Sequence, residues 1–255
     1  MSKKFATVIS GFANLLTLPL KHHRRMETKA TAAELLAATI PIDTAAGKIL
    51  FYTNTQRAYH YPWFFHEDEP ETLEWIDSFP PDACLWDVGA NIGTFSLYAG
   101  LRADVSVLAF EPSASSYGAF VKNIEINSMD DRIAAYCVAF CERTQLNTLN
   151  MEDTEAGHSM HGFGTELNAY DHTIKTRFRQ AAVGYSIDDF LKTFNPRPPT
   201  HLKIDVDGIE ADILRGAHDL LQSKMLQSVL IEVMDDVESL RNREIIELLE
   251  ASGFV

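Results

Sequence analysis

LWDVGANIGTFSLYAG, residues 85–100, begins as an apolar strand, breaks at glycine and resumes at a helical period. A strand that feeds a helix through glycine commonly cradles a nucleotide. A dinucleotide cradle needs Gly-x-Gly-x-x-Gly, because the backbone must come close to a pyrophosphate. Counted from Gly89, Asn91 and Thr94 stand where the second and third glycines belong, so their side chains obstruct a diphosphate. Glu111 nevertheless ends the next apolar run 22 residues after Gly89, where a ribose-binding carboxylate belongs. Turn and acid together describe an adenosine pocket without a phosphate site. S-adenosylmethionine meets that description. Glu111 would accept from its ribose hydroxyls and Asp87 from its ammonium, while N–H groups near Gly89 and Asn91 serve its carboxylate.

Working outward from the turn, strands and helices alternate. Strands are expected at Cys84–Val88, Val105–Phe110, Ile133–Ala139, His201–Val206 and Ser228–Val233. Helices are expected at Ile92–Leu101, Ser113–Asn127, Ile187–Phe194, Glu210–Leu221 and Val237–Ala251. Repeated strand–helix units imply a Rossmann-like, doubly wound and mostly parallel sheet with helices on both faces, a three-layer α/β sandwich. Ligands of such sheets bind at the carboxyl ends of the strands. Those ends carry Asp87, Glu111, Ala139-Phe140, Asp205-Val-Asp207 and Glu232. Four of the five present carboxylates, which are costly at a buried edge unless they serve a ligand. The rhythm fails between Glu142 and Ala182, a polar stretch with Gly157, Gly162 and Gly164. It reads as a functional lid, or as an insertion with its own strands.

The chain thus divides into residues 1–25, an extension over 26–82 and the main domain over 83–255. The extension should contain a strand at Lys48–Thr53 and a helix near Glu69–Phe79. Its run Tyr59-His-Tyr-Pro-Trp-Phe-Phe65 is core or an acceptor wall. Residues 1–25 hold five lysines and arginines and no acid, whereas the other 230 residues carry a net charge of −19. An acidic body opposes phosphate neutralisation, so no nucleic-acid partner is expected. Within the first segment Phe5, Val8, Ile9, Phe12, Leu15 and Leu16 form a helical apolar stripe that is too short to span a bilayer. The plainer reading packs this helix on the body; the alternative lays residues 3–25 on a membrane surface. Cys84, Cys137 and Cys141, odd in number and sparse, read as small buried hydrophobes in a reducing, cytoplasmic setting rather than a disulfide frame or a zinc site.

From residue 84 to the end the sequence resembles the FkbM-type methyltransferases, a branch of the class I S-adenosylmethionine-dependent enzymes. The resemblance is carried by Asp87-Val-Gly-Ala-Asn-Ile-Gly93, Phe110-Glu-Pro-Ser113 and Asn123-x-x-x-Asn127. It continues in Ser186-Ile-Asp-Asp-Phe190, Leu202-Lys-Ile-Asp-Val-Asp-Gly208 with Glu210, Leu214-Arg-Gly-Ala217 and Leu230-Ile-Glu-Val233. It implies S-adenosyl-L-methionine as cofactor, held by Asp87, Gly89, Asn91, Gly93, Glu111, Pro112, Ser113 and Phe140. It also implies methylation of a hydroxyl on a sugar, a glycan or a natural-product small molecule. Asp207 departs from the family's usual glutamate, and the family's closing antiparallel strands normally begin where this sequence reaches Gly253-Phe-Val255.

Methyl transfer to an alcohol is an in-line displacement, so a group must align the nucleophile and take its proton. Asp205 and Asp207 leave the fourth strand at the ligand edge and Glu232 ends the fifth. His161, in Gly157-His-Ser-Met-His-Gly162, is the loop histidine chosen as base, with His158 beside it and ahead of His172. The carboxylates would also suit a divalent cation, which is not favoured. Two rival functions remain: a nicotinamide-dependent oxidoreductase, and a non-catalytic nucleotide-binding module recruited to a membrane through residues 3–25.

Overall fold

A computed structural model describes residues 2–167, 172–233 and 239–254. The chain divides into two compact units, one reaching to Thr39 and the other running from Ile40. The first holds helices α1 (Ser2–Leu16) and α2 (His22–Leu36); α2 was not foreseen from the sequence. The apolar stripe of α1 is exposed along its whole length, Phe5 to 66% and Leu16 to 73%.

Strands β1 (Ala38–Thr44) and β2 (Gly47–Thr53) form a two-stranded sheet, and α3 (His60–Trp63) and α4 (Pro70–Asp77) follow. The main domain then alternates as expected: β3 (Cys84–Val88), α5 (Thr94–Gly100), β4 (Ser106–Phe110), α6 (Ala114–Asn127) and β5 (Ile133–Tyr136). Next come β6 (Ala139–Phe140), β7 (Gln145–Met151), β8 (Gly162–Phe163), β9 (Phe178–Tyr185) and α7 (Ile187–Phe194). The chain returns through β10 (His201–Ile204), α8 (Glu210–Arg215), α9 (His218–Leu221), β11 (Ser228–Ile231) and α10 (Leu240–Ala251). Residues 237–238, the expected start of the last helix, lie outside the described residues.

The central sheet is wholly parallel, in the order β11-β10-β3-β4-β5. Alternation along its strands explains the layers. Leu85, Val107 and Ala109 enter one core with Leu97 of α5 and Phe120 of α6. Cys84, Trp86, Val88, Leu108 and Phe110 enter a second core with Phe190 of α7 and Ile213 of α8. Strands buried on both faces read as continuous apolar runs, which is why these were legible. Helix ends are fixed locally: Ser113 and Ser186 accept from the N–H groups of Ser116 and Asp189.

Three expectations need correction. The third strand ends at Tyr136, and Ala139-Phe140 crosses into a four-stranded sheet of order β6-β9-β7-β8. The stretch over 142–182 supplies most of that sheet, with β7 antiparallel to both β8 and β9. Because the strand breaks there, Cys137 is exposed, whereas Cys84 and Cys141 are buried. The helix expected over Glu210–Leu221 is two, interrupted at Gly216-Ala217. A Cβ on Gly216 would stand 2.4 Å from the Cys141 carbonyl oxygen, so the chains meet there backbone to backbone.

Candidate active site

Chain order reverses between β3 and β10, which places a switch point at their carboxyl ends. A cavity of about 280 Å³ opens there. The turn after β3 fits against β10 only because residue 89 is glycine. Its φ is 87°, and a Cβ would lie 1.7 Å from the Asp205 carbonyl oxygen. Gly93 serves packing in the same way: its φ is 87° and a Cβ would sit 2.0 Å from the Phe120 ring. Gly89 lines the cavity, whereas Gly93 stands behind the wall.

Asp87 is 1% exposed. Its Oδ2 accepts from Ser96 Oγ at 2.6 Å, and Oδ1 is buried without a partner. Burial pushes its carboxyl up, opposed by the Lys203 charge and the Ser96 bond. Glu111 accepts from Asn91 N–H at 2.9 Å and from Ser113 N–H at 2.7 Å. Burial outweighs these two bonds and lifts its pKa to about 7. Each oxygen has one N–H donor, which leaves lone pairs for a ligand. Asn91 donates from Nδ2 to the Tyr61 hydroxyl at 2.7 Å, while its Oδ1 is buried and unpaired. Pro112 and Phe140 line the cavity; Phe140 does so from β6, inside an aromatic cluster with Trp86, Phe110 and Phe190. Ser113 stays behind Glu111, orienting it and capping α6.

The four residues expected to do chemistry converge. Asp205, Asp207, His161 and Glu232 all line the cavity. Asp207 has a φ of 62° and accepts the Met160 N–H at 2.6 Å, which ties the end of β10 to the loop before β8. Burial first, then the Asp205 charge, raises its carboxyl to about 7. Asp205 and Glu232 share a hydrogen bond; burial and the Asp205 charge raise Glu232 to about 9, and Asp205 is held low by Lys203 against the cost of burial. The pair therefore carries its proton on Glu232. The His161 ring nitrogens are buried without partners, and its ring stacks on His158 at 5.2 Å between centroids. Burial lowers His161 to about 4, leaving it neutral near pH 7.

Two contributors went unassigned from sequence. Lys203 is 1% exposed; its Nζ meets Asp205 Oδ2 at 2.5 Å and lies 4.8 Å from the Phe95 ring centroid. Burial works against its charge, but Asp205, Asp87 and Glu69 overcome this and hold its pKa above the usual lysine value. A lysine inside the apolar run HLKI was a readable signal, because a buried ammonium requires carboxylate partners. Tyr61, whose run reads as core or an acceptor wall, joins three segments. Its hydroxyl receives Asn91 Nδ2 and donates to the Gly157 carbonyl at 3.0 Å. In the same aromatic run Phe65 lines the cavity, while Trp63 is 63% exposed.

Among the described residues, seven carboxyl groups (Asp68, Glu69, Asp87, Glu111, Asp205, Asp207 and Glu232) face this cavity with the ammonium of Lys203. Such a lining repels a diphosphate and suits a cationic ligand. Among the described residues no three histidine, cysteine, aspartate or glutamate side chains are placed to hold a metal ion.

Fold and cavity define the class: a doubly wound α/β protein with a carboxyl-lined cavity at its switch point. The family model of the methyltransferase FkbM domain matches residues 87–255, and the chain belongs to that family of methyltransferases. It is 26% identical over 199 residues to Methyltransferase 1 of Beauveria bassiana, covering 70% of this chain and 75% of that protein. Hexuronic acid methyltransferase AglP of Haloferax volcanii is 26% identical over 163 residues, 64% and 61% of the two chains. Among solved structures, methyltransferase FkbM from Methylobacillus flagellatus aligns with a TM-score of 0.42 at 17% identity, covering 77% of this chain and 46% of that one. Family membership displaces the oxidoreductase alternative.

Proposed function

We propose that this methyltransferase uses S-adenosylmethionine to methylate a hydroxyl on a sugar, a glycan or a hydroxylated small molecule. The observation that carries the reading is the cavity's electrostatic character at the switch point: carboxyls in excess, a buried unpaired oxygen on Asp87, and no phosphate cradle. These residues fit a ligand that is cationic at sulfur and nitrogen and bears a ribose. Asp87 Oδ1 would accept from the ammonium, and Glu111 would accept from the ribose hydroxyls with the lone pairs its backbone donors leave. Pro112 and Phe140 would supply the apolar wall. When bound, S-adenosylmethionine supplies the electrophilic methyl group.

The chain's own residues then have to orient and deprotonate the acceptor. Asp207 suits the base, because a pKa near the working pH balances ionisation against proton affinity. Asp205, kept ionised by Lys203, would accept from a neighbouring hydroxyl of the acceptor and so orient the one that reacts. Glu232, holding the pair's proton, donates it to Asp205 and would keep that carboxylate turned towards the acceptor. His161, neutral and unpaired, would bond a second acceptor hydroxyl rather than take the reacting proton. The relative from Haloferax volcanii, a hexuronic acid methyltransferase, supports a sugar-type acceptor.

The test is methyl transfer from isotopically labelled S-adenosylmethionine to a panel of hexuronates, neutral glycosides and hydroxylated small molecules. Label recovered as an acid- and base-stable ether in one of them is the expected result. A base-labile ester would refute hydroxyl methylation. Saturable donor binding with no transfer to any acceptor would favour the non-catalytic module.

A further inference from the structure

We propose that the exposed face of α1 docks on an anionic lipid bilayer. Phe5, Val8, Ile9, Phe12, Leu15 and Leu16 fall within about a third of the helix circumference at 100° per residue. Each is at least 58% exposed, and Leu18 just beyond the helix is 57% exposed. The amphipathicity is inverted relative to a packed hairpin. The contact between the two helices, Lys29 Nζ to Asn14 Oδ1, lies on the polar side of α1, opposite the stripe. The covered position nearby is Thr17, at 6% exposure. Helix α2 therefore leaves the apolar face open.

Charge decides which occupant suits that face. Lys3 and Lys4 precede the stripe, and Lys21, Arg24 and Arg25 follow it, with no acid through residue 25. An apolar helix face flanked by cations matches the boundary between acyl chains and anionic headgroups. A second copy of this chain would bring the same cations face to face, which disfavours pairing through the stripe. The helix has 15 residues, and no described helix is long and apolar enough to cross a membrane, so α1 lies in the interface.

The experiment is co-sedimentation of the full chain with phosphatidylcholine vesicles containing about 30% phosphatidylglycerol, and with pure phosphatidylcholine. Wild type should pellet with the anionic vesicles and lose binding as salt rises. Ile9→Asp/Phe12→Asp and, separately, Lys21→Gln/Arg24→Gln/Arg25→Gln should each weaken partitioning about tenfold or more. All the substituted positions lie in the first unit, so melting temperature and donor affinity should match wild type, which excludes unfolding as the cause. Failure of wild type to bind would overturn the proposal, as would equal binding by the Asp variant. So would a wild-type dimer in solution that Ile9→Asp/Phe12→Asp dissolves, since the stripe would then be covered by a second copy.

Discussion

Asp207 occupies a left-handed backbone position that an aspartate tolerates better than most residues, and its carboxylate is committed to the Met160 N–H. Two bases in one cavity can be told apart by their pH limbs. If Asp207 takes the acceptor's proton, kcat/KM rises with pH to a plateau above about 7. If His161 did so, the rise would centre near 4. We expect the limb near 7, and expect Asp207→Asn to abolish it with a loss in kcat of about 100-fold or more. A stopped pH–rate series on both proteins reads this directly. The places of Glu111, Asp205 and Glu232 in the cavity lining were readable because each ends an apolar run, a position where an unsatisfied charge is costly. Tyr61 was not readable in its present role: nothing in the run YHYPWFF says which aromatic ring turns inward, and Phe65 enters the cavity while Trp63 stays outside.

At the scale of elements, the candidate site is a junction of three segments brought together by short polar contacts. The turn after β3 holds Glu111 through Asn91 N–H and Tyr61 through Asn91 Nδ2. Tyr61 and Thr55 in turn hold the loop before β8, through the Gly157 and Ala156 carbonyls. Removing the hydroxyl in Tyr61→Phe leaves the Gly157 carbonyl and Asn91 Nδ2 without their partner, at a cost of about 1–3 kcal/mol. We expect weaker donor binding, by about tenfold, measured by calorimetry, with an unchanged far-ultraviolet dichroism spectrum. Gly89→Ala is a harsher change, because both the φ of 87° and the 1.7 Å approach to the Asp205 carbonyl forbid a Cβ. It should yield unfolded or aggregated protein, or a melting temperature well below wild type. The order β3, α5, β4, α6 was legible because each element keeps its own period. The crossing of Ala139-Phe140 into a second sheet was not, because an apolar residue pair looks the same whichever sheet it joins. Exposure of the α1 stripe escaped the sequence for a related reason: periodicity shows that a helix has an apolar face, never what covers it.

For the molecule as a whole, concentrating so many carboxyls around one cavity has a cost in stability that depends on pH. A carboxyl whose folded pKa exceeds its unfolded value binds its proton more tightly when folded. Its contribution favours the folded state at low pH and is lost as pH rises towards the folded pKa. Glu111 and Asp207, both raised to about 7, and Glu232, raised to about 9, lose that contribution between their usual carboxyl range and those values. His161 and His201, both lowered to about 4, act oppositely but only below their ordinary value of 6.5. From pH 6.5 to about 8.5 the carboxyls act alone, so the ligand-free protein should melt progressively lower. Each kcal/mol lost would lower the melting temperature by roughly 2–4 °C. A melting series by scanning fluorimetry checks the sign; a rise over that interval would mean the carboxyls are not buried as described.

All of this rests on the cavity between β3, β4 and β10 receiving the methyl donor. The most direct measurement is calorimetric titration of S-adenosylmethionine into wild type and Glu111→Ala. One saturable site in wild type, weakened at least tenfold in the variant, or about 1.4 kcal/mol, is the expected result. Equal affinity in the two proteins, or no binding in wild type, would contradict it.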